Sequence, residues 1–230
     1  DLHSFPTRRS SDLEINTISS NTFDSNTAEQ GGAIYANEGN VIDSNSFTSN
    51  NATLGGAIYA SDTNSITSNV FTSNEAVRGG AIYASSGNTA ISNIFTFNSA
   101  TFGGAIYANT SNTINSNAFE SNTAEQGGAI YASEGNVISS NSFTSNSATL
   151  GGAIYANGTN IIQSNVFTSN EAVRGGAIYS NVSNSISNNI FNSNVATTSG
   201  GAIYLNIDSN TVVNNEFNAN TAVTGGAIIS

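Results

Sequence analysis

The stretch FTSNEAVRGGAIY occupies residues 71–83 and returns unchanged at residues 167–179. It contains a Phe-x-x-Asn tetrapeptide and, eight residues after the Phe, a Gly-Gly-Ala-Ile tetrapeptide. The stretch is poor in charge and in long aliphatic side chains, so it does not form an amphipathic helical stripe. A segment that recurs at a fixed interval is typical of a repeat protein.

Both tetrapeptides occur nine times. The Gly-Gly-Ala-Ile units recur every 24 or 25 residues, and the Phe-x-x-Asn units every 24 residues except for a last interval of 26. The variable residues also recur at 96, which indicates that a block of four units was duplicated. The Gly-Gly-Ala-Ile units begin at Gly31, Gly55, Gly79, Gly103, Gly127, Gly151, Gly175, Gly200 and Gly225. The Phe-x-x-Asn units begin at Phe23, Phe47, Phe71, Phe95, Phe119, Phe143, Phe167, Phe191 and Phe217.

A repeat of this length fits either a leucine-rich repeat or a parallel β-solenoid. Only Leu54, Leu150 and Leu205 fall inside the array, so a leucine-rich core is absent. A glycine pair in every unit disfavours helical repeats. We therefore predict an all-β fold, a right-handed parallel β-helix of about nine coils with about three short strands in each coil.

Stacking the copies places identical residues above one another, at about 4.8 Å from coil to coil. We predict that the Phe column fills the core and that Asn takes the left-handed conformation at tight bends, with its amide bonded to the Asn of the next coil. The glycine pair permits a close or left-handed turn. The main Asn ladder comprises Asn21, Asn45, Asn69, Asn93, Asn117, Asn141, Asn165, Asn189 and Asn215, and two further Asn columns begin at Asn16 and Asn26.

The Ile and Tyr that follow each Gly-Gly-Ala alternate in direction if they lie on a strand. We place Ile34 and its equivalents inside, because every copy has them, and the Tyr column outside. An external Tyr column is either a stiffening stack or a contact surface for a glycan or a protein. The predicted surface comprises Tyr35, Tyr59, Tyr83, Tyr107, Tyr131, Tyr155, Tyr179 and Tyr204, with Arg78 and Arg174.

The first thirteen residues differ from the rest of the chain. They hold the only His and Pro and two of the four Arg, and Leu2 to Leu13 resemble one translated frame of a sequencing-library adapter. We predict that residues 1–13 are not part of the fold, and that residues 14–230 form one β-helix array truncated at both ends.

The composition excludes several classes of partner and site. A net charge of −11 disfavours nucleic acid and anionic membranes. The chain has no Cys, which excludes disulfides and thiolate metal sites, and no apolar run long enough to span a membrane. We expect no cofactor and no metal site.

The interleaved Gly-Gly-Ala-Ile and Phe-x-x-Asn units resemble the repeats of the polymorphic outer-membrane proteins first recognised in chlamydiae. The resemblance covers residues 16–230. It implies a β-helical passenger of an autotransporter, displayed on the bacterial surface through an outer-membrane barrel outside this segment, and a role in adhesion to a host protein or glycan. We also expect self-association through uncapped coil ends.

Three alternatives remain beside adhesion. A passive stalk is compatible with every repeat feature. A carbohydrate-active β-helix enzyme needs clustered carboxylates or a cationic base, whereas the acids recur four coils apart, so we expect no catalytic residues. A lattice-binding face is suggested by Thr48, Thr72, Thr96, Thr144 and Thr168, but Asp24 and Glu120 interrupt that column.

Overall fold

The computed structural model describes residues 15–207 and 209–230. All regular secondary structure in these two ranges is β-strand, 34 short strands in total. The prediction that residues 1–13 stand apart from the fold lies outside the described residues. The prediction of an all-β solenoid is confirmed.

The strands form four parallel sheets, numbered here in the order in which one coil passes through them. Sheet 1 comprises Thr17–Ser19, Val41–Asp43, Ser65–Thr67, Thr89–Ile91, Thr113–Asn115, Val137–Ser139, Ile161–Gln163, Ser185–Ser187 and Thr211–Val213. Sheet 2 comprises Thr22–Asp24, Ser46–Thr48, Val70–Thr72, Ile94–Thr96, Ala118–Glu120, Ser142–Thr144, Val166–Thr168, Ile190–Asn192 and Glu216–Asn218. Sheet 3 comprises Asn51–Leu54, Glu75–Arg78, Ser99–Phe102, Thr123–Gln126, Ser147–Leu150, Glu171–Arg174 and Val195–Ser199. Sheet 4 comprises Ile34–Glu38, Ile58–Asp62, Ile82–Ser86, Ile106–Thr110, Ile130–Glu134, Ile154–Gly158, Ile178–Val182, Ile203–Leu205 and Ile228–Ile229.

Each coil therefore has four strands in its middle turns, and the prediction of three was wrong. The extra strand is the one in sheet 3, between the Phe-x-x-Asn turn and the glycine pair. Pairing is in register, so that Phe47 lies beside Phe71 and Ile58 beside Ile82. Where the repeat lengthens, the register shifts between Ala172 and Arg174, and the longer strand Val195–Ser199 absorbs the added residue.

The core is a stack of identical side chains. Phe47 and Phe71 are fully buried, and their ring centroids lie 4.8 Å apart with planes within 6°. Ile42 and Ile58 line the same core from sheets 1 and 4 and are also fully buried. At that spacing nine coils extend roughly 40 Å. The predicted burial of the Phe column is confirmed.

Three Asn ladders run beside the core and satisfy its polar groups. Asn45 illustrates the pattern: its backbone N–H and its Nδ2 both donate to Oδ1 of Asn69, at 2.8 and 3.1 Å. The same Nδ2 donates to the carbonyl oxygen of Ile18 in the preceding coil at 2.8 Å. No buried side-chain nitrogen or oxygen of the described residues lacks a hydrogen-bond partner.

The left-handed residue at each bend is the one before the ladder Asn, not the Asn itself. Ser44 has φ +54° and Ser49 has φ +53°, immediately before Asn45 and Asn50. The prediction that Asn occupies this conformation was wrong. The bend is made by the preceding residue, which turns the Asn side chain inward to bond along the stack.

The glycine pair is required at both positions. Gly79 has φ +65°, and a Cβ there would overlap the carbonyl oxygen of Ile82. A Cβ on Gly80 would overlap the carbonyl oxygen of Gly104 in the next coil. This backbone approach brings the end of sheet 3 close to the start of sheet 4.

Candidate contact surface

Sheet 4 presents the predicted Ile and Tyr columns on opposite faces. Ile34 is 7% exposed and Tyr35 is 52% exposed. Further along the stack the Tyr rings are half-buried, and Tyr179 is buried at 6% exposure. The predicted outward direction of the Tyr column is therefore confirmed, and Tyr179 is the member of the column that is buried.

The Tyr rings stack on each other along the whole column. Neighbouring centroids are 4.8–5.1 Å apart, for example 5.1 Å between Tyr83 and Tyr107, with planes within 3°. Because each ring face is covered by the next ring, the column presents ring edges and phenol hydroxyls outward. We call this the Tyr strip, defined by Tyr35, Tyr59, Tyr83, Tyr107, Tyr131, Tyr155, Tyr179 and Tyr204.

The last residue of each sheet 3 strand borders the Tyr strip. Leu54, Arg78 and Phe102 are successive register neighbours in this column. The guanidinium carbon of Arg78 lies 5.7 Å from the ring centroid of Tyr107, and the Phe102 ring lies 5.7 Å from that of Tyr131. In both cases the contacted Tyr belongs to the following coil. Sequence alone did not reveal this offset, because it depends on the path through the glycine turn.

The environment in the middle of the Tyr strip favours the neutral phenol. Burial raises the pKa of Tyr83, Tyr107 and Tyr131, and the next Tyr in the stack raises it further. Arg78 acts in the opposite direction on all three pKa values, because a cation favours the phenolate. These three side chains therefore carry neutral hydroxyls at neutral pH.

Arg78 lies in a groove of about 320 Å³ that is also lined by Leu54, Val77 and Phe102 and by the polar residues Glu29, Gln30 and Thr53. Arg174, four coils further along, lies 5.6 Å from the ring centroid of Tyr204. Four coils separate the two arginines by about 19 Å. The structure therefore places both predicted arginines beside the strip but not together.

The carboxylates are less scattered than their sequence spacing indicated. Glu38 and Asp62 are direct register neighbours in sheet 4, a pairing that the sequence analysis missed although it follows from the 24-residue period. Glu75 and Glu125 line one shallow groove on sheet 3. Glu38 and Asp62 are exposed, whereas catalytic carboxylates are ordinarily enclosed.

No three His, Cys, Asp or Glu side chains of residues 15–207 and 209–230 are grouped so that they could hold a metal ion. Within the same ranges no helix has the length and apolar character needed to cross a membrane.

Comparison with known families agrees with this geometry. The family model described as a right handed beta helix region matches residues 7–167, more than half of the chain. The chain belongs to the right-handed β-helix family. A second family model, the Chlamydia polymorphic membrane protein repeat, matches residues 190–206, which include the Phe191 and Gly200 units. The predicted resemblance to polymorphic-membrane-protein repeats is thereby confirmed. No curated protein and no solved structure matched the chain.

In this β-helix, the columns of identical residues and the columns whose residues vary from coil to coil occupy different parts of the structure. The Phe and Asn columns are buried in the middle coils and hold the coils together. The column of Leu54, Arg78 and Phe102, which changes from coil to coil, borders the Tyr strip. Other outward columns also vary, such as Glu38 and Asp62 at the end of sheet 4.

Proposed function

We propose that the chain is a non-catalytic segment of a surface-displayed, autotransporter-like passenger that mediates adhesion to a host-cell protein or glycan. One observation carries the proposal: the column that borders the Tyr strip changes from Leu54 to Arg78 to Phe102 in successive coils. Aromatic and Arg side chains are enriched in recognition surfaces. Similarity to the polymorphic membrane protein repeat supports placement at the bacterial surface.

A passive stalk is the second candidate function. It is favoured by the uniform coils, in which the same hydrogen bonds and ring stacks recur from one repeat to the next. Such a rod holds its ends at a fixed separation without any ligand. The two functions differ in one measurable property, which is binding to cells through a defined side of the rod.

Beads coated with the full chain and offered to epithelial cells test the proposal. In the test variant Leu54, Arg78 and Phe102 are replaced by Gln, the residue found in the same column at Gln30 and Gln126. In the matched control Thr48, Thr72 and Thr96 on sheet 2 are replaced by Asn, as at Asn192 and Asn218.

We expect beads with the unaltered chain and with the control variant to bind cells, and beads with the test variant to lose binding. Equal binding of both variants would place adhesion on another side of the rod. If the unaltered chain binds no better than an unrelated acidic β-solenoid, adhesion is rejected and the stalk remains.

A further inference from the structure

We infer that the groove around Arg78 binds a protein segment in which a single carboxylate lies next to an apolar side chain. This inference rests on the proposed adhesive function and names its ligand class and one of its sites. The groove is lined by Leu54, Val77, Arg78 and Phe102, together with the polar residues Glu29, Gln30 and Thr53. The sequence predicted Arg78 as a contact residue, but not the apolar neighbours that the adjacent coils place on both sides of it.

The groove places a cation among apolar side chains. Leu54 and Phe102 flank Arg78 as register neighbours on the two adjacent coils, and Val77 beside it is 46% exposed. A hydrogen bond between a guanidinium and a carboxylate is stronger than one between neutral groups. The planar guanidinium also matches the two oxygens of a carboxylate. Arg78 therefore selects for a carboxylate, and its neighbours select for a hydrocarbon group beside it.

Phe102 forms one apolar wall of the groove, and one face of its ring is free. Its ring meets that of Tyr131 at 83°. Both faces of Tyr131 are covered by Tyr107 and Tyr155, at 4.9 and 5.0 Å, so the edge of Tyr131 meets one face of Phe102. The opposite face of Phe102 is left toward the groove, where an apolar side chain can pack on it.

Charge and size exclude a polyanion. The chain carries a net charge of −11, and Glu29 also lines the groove. The repulsion grows with each carboxylate of a ligand, and Arg78, the one cation among the lining residues, offsets it for a single carboxylate only. A volume of about 320 Å³ is at the small end of ligand pockets and holds one or two side chains.

A protein segment fits the walls better than a sugar. Recognition of a sugar needs many polar partners around an open aromatic face, but the Tyr faces are covered by each other, and the one open face in the groove, that of Phe102, lies with Leu54 and Val77. A peptide side chain of Phe or Leu type is satisfied by those walls alone.

The duplicated block provides an internal comparison. Arg174 has Leu150 on one side, as Arg78 has Leu54, and it also lies over a Tyr ring. On its other side the partner is Ser199, at the shifted register, where Arg78 has Phe102. The Arg174 position thus keeps the cation and lacks the apolar wall, so we expect it not to bind the same segment.

Nuclear magnetic resonance of the full chain tests the inference. The chain has four arginines, so the Arg Nε–H spectrum is simple, and the variants R78Q and R174Q assign the two array signals. The probes are acetyl-Phe-Glu-Phe-amide, its neutral analogue acetyl-Phe-Gln-Phe-amide, and the methyl glycoside of N-acetylneuraminic acid as a sugar carboxylate. The variant F102S introduces the residue that the second block already has at Ser199.

We expect the Glu peptide to shift the Arg78 signal saturably, about fivefold more tightly than the Gln peptide, and to leave Arg174 unmoved. F102S should abolish the shift, with its strand structure checked by circular dichroism. Equal binding of both peptides, equal shifts at Arg174, a response to the sugar carboxylate alone, or no response would each overturn the inference.

The cell assay separates this inference from the proposed function. If R78Q beads adhere to cells as well as unaltered beads, adhesion stands and the groove is not its site. If the Glu peptide binds at Arg78 but no beads adhere, the groove stands and the adhesive function falls.

Discussion

Oδ1 of Asn93 accepts two hydrogen bonds from Asn69, one from the backbone N–H of Asn69 at 2.9 Å and one from the Nδ2 of Asn69 at 3.1 Å. Nδ2 of Asn69 also donates to the carbonyl oxygen of Ile42 in the coil before, at 2.8 Å. One Asn thus connects three successive coils. The ladder satisfies the backbone at each bend, where strand pairing alone leaves an N–H without a partner.

Replacing Asn93 by Ala should destabilise the protein severely. The backbone N–H of Asn69 loses its acceptor, and the carbonyl oxygen of Ile66 loses the Nδ2 donor that lies 2.9 Å away. Each orphaned buried group costs about 1–3 kcal/mol. We expect the free energy of unfolding to fall by several kcal/mol in urea titrations. The exposed Asn37→Ala is the control, and a loss of similar size there would contradict the ladder's role.

Gly80→Ala should prevent the coil from closing. The added Cβ would overlap the carbonyl oxygen of Gly104, and both groups belong to the backbone, so neither can rotate away. Overpacking of this kind costs about 1–3 kcal/mol or more, and we expect little folded protein in circular dichroism.

Gly39→Ser is the comparison for that substitution. Gly39 has φ +74° with open space around its Cβ position, and Ser111 occupies the equivalent turn. We expect a loss of only about 1 kcal/mol from the left-handed backbone. If the two variants unfold at the same urea concentration, close backbone approach is not what fixes the glycine pair.

Much of the fold could be predicted because residues that lie one repeat apart in the sequence are neighbours in the structure. Phe47 and Phe71 are 24 residues apart, so any parallel solenoid stacks them. The conformation at the bend could not be predicted, because Ser44 and Asn45 both tolerate a left-handed backbone and only the stacking of Asn45 on Asn69 decides between them. The fourth strand was missed because the residues of sheet 3, such as Glu75, Ala76 and Val77, lack a strong strand pattern.

The contact surface was predictable in its residues but not in its geometry. Ile34 and Tyr35 follow from strand alternation. Arg78 contacts Tyr107 rather than Tyr83 because of the path that the chain takes through Gly79 and Gly80. That path could not be predicted from the residue types. The covering of ring faces follows from direct stacking, and it changes the strip from an aromatic platform into a row of hydroxyls.

Phe97→Asn should stabilise the protein. Phe97 has φ +56° and is 62% exposed, at a bend where the other coils have Ser or Ala. A bulky residue is strained in the left-handed region, whereas Asn188 adopts φ +56° at the bend between sheets 1 and 2. We expect a gain of about 0.5–1 kcal/mol in thermal unfolding. Phe97→Val should instead destabilise, because β-branched residues tolerate this conformation least; a gain with Val would refute the strain argument.

Raising the pH above 10 should destabilise the protein, because it ionises the phenols of the Tyr strip. Burial, with the neighbouring Tyr in the stack, raises the pKa of Tyr107, Tyr131 and Tyr155 above 10.0 in the folded state. A raised folded pKa means that the neutral phenol is favoured by folding. This stability is fully present below about pH 10 and is lost as pH rises through the folded pKa values. Phenolate absorbance near 295 nm should therefore rise with a midpoint above 10, and the melting temperature should fall over the same range.

A variant with Phe in place of Tyr in the strip separates the effect of the phenol hydroxyls on stability from the effect of ring stacking. Replacing Tyr83, Tyr107, Tyr131 and Tyr155 by Phe keeps the rings, since Phe stacks in the same way in sheet 2, and removes four ionisable hydroxyls. We expect its melting temperature at pH 7 to be close to that of the unaltered chain, and its decline above pH 10 to be shallower. If both proteins lose stability equally between pH 10 and 12, ionisation of the strip is not the cause, and the raised pKa values do not contribute to the stability of the coil.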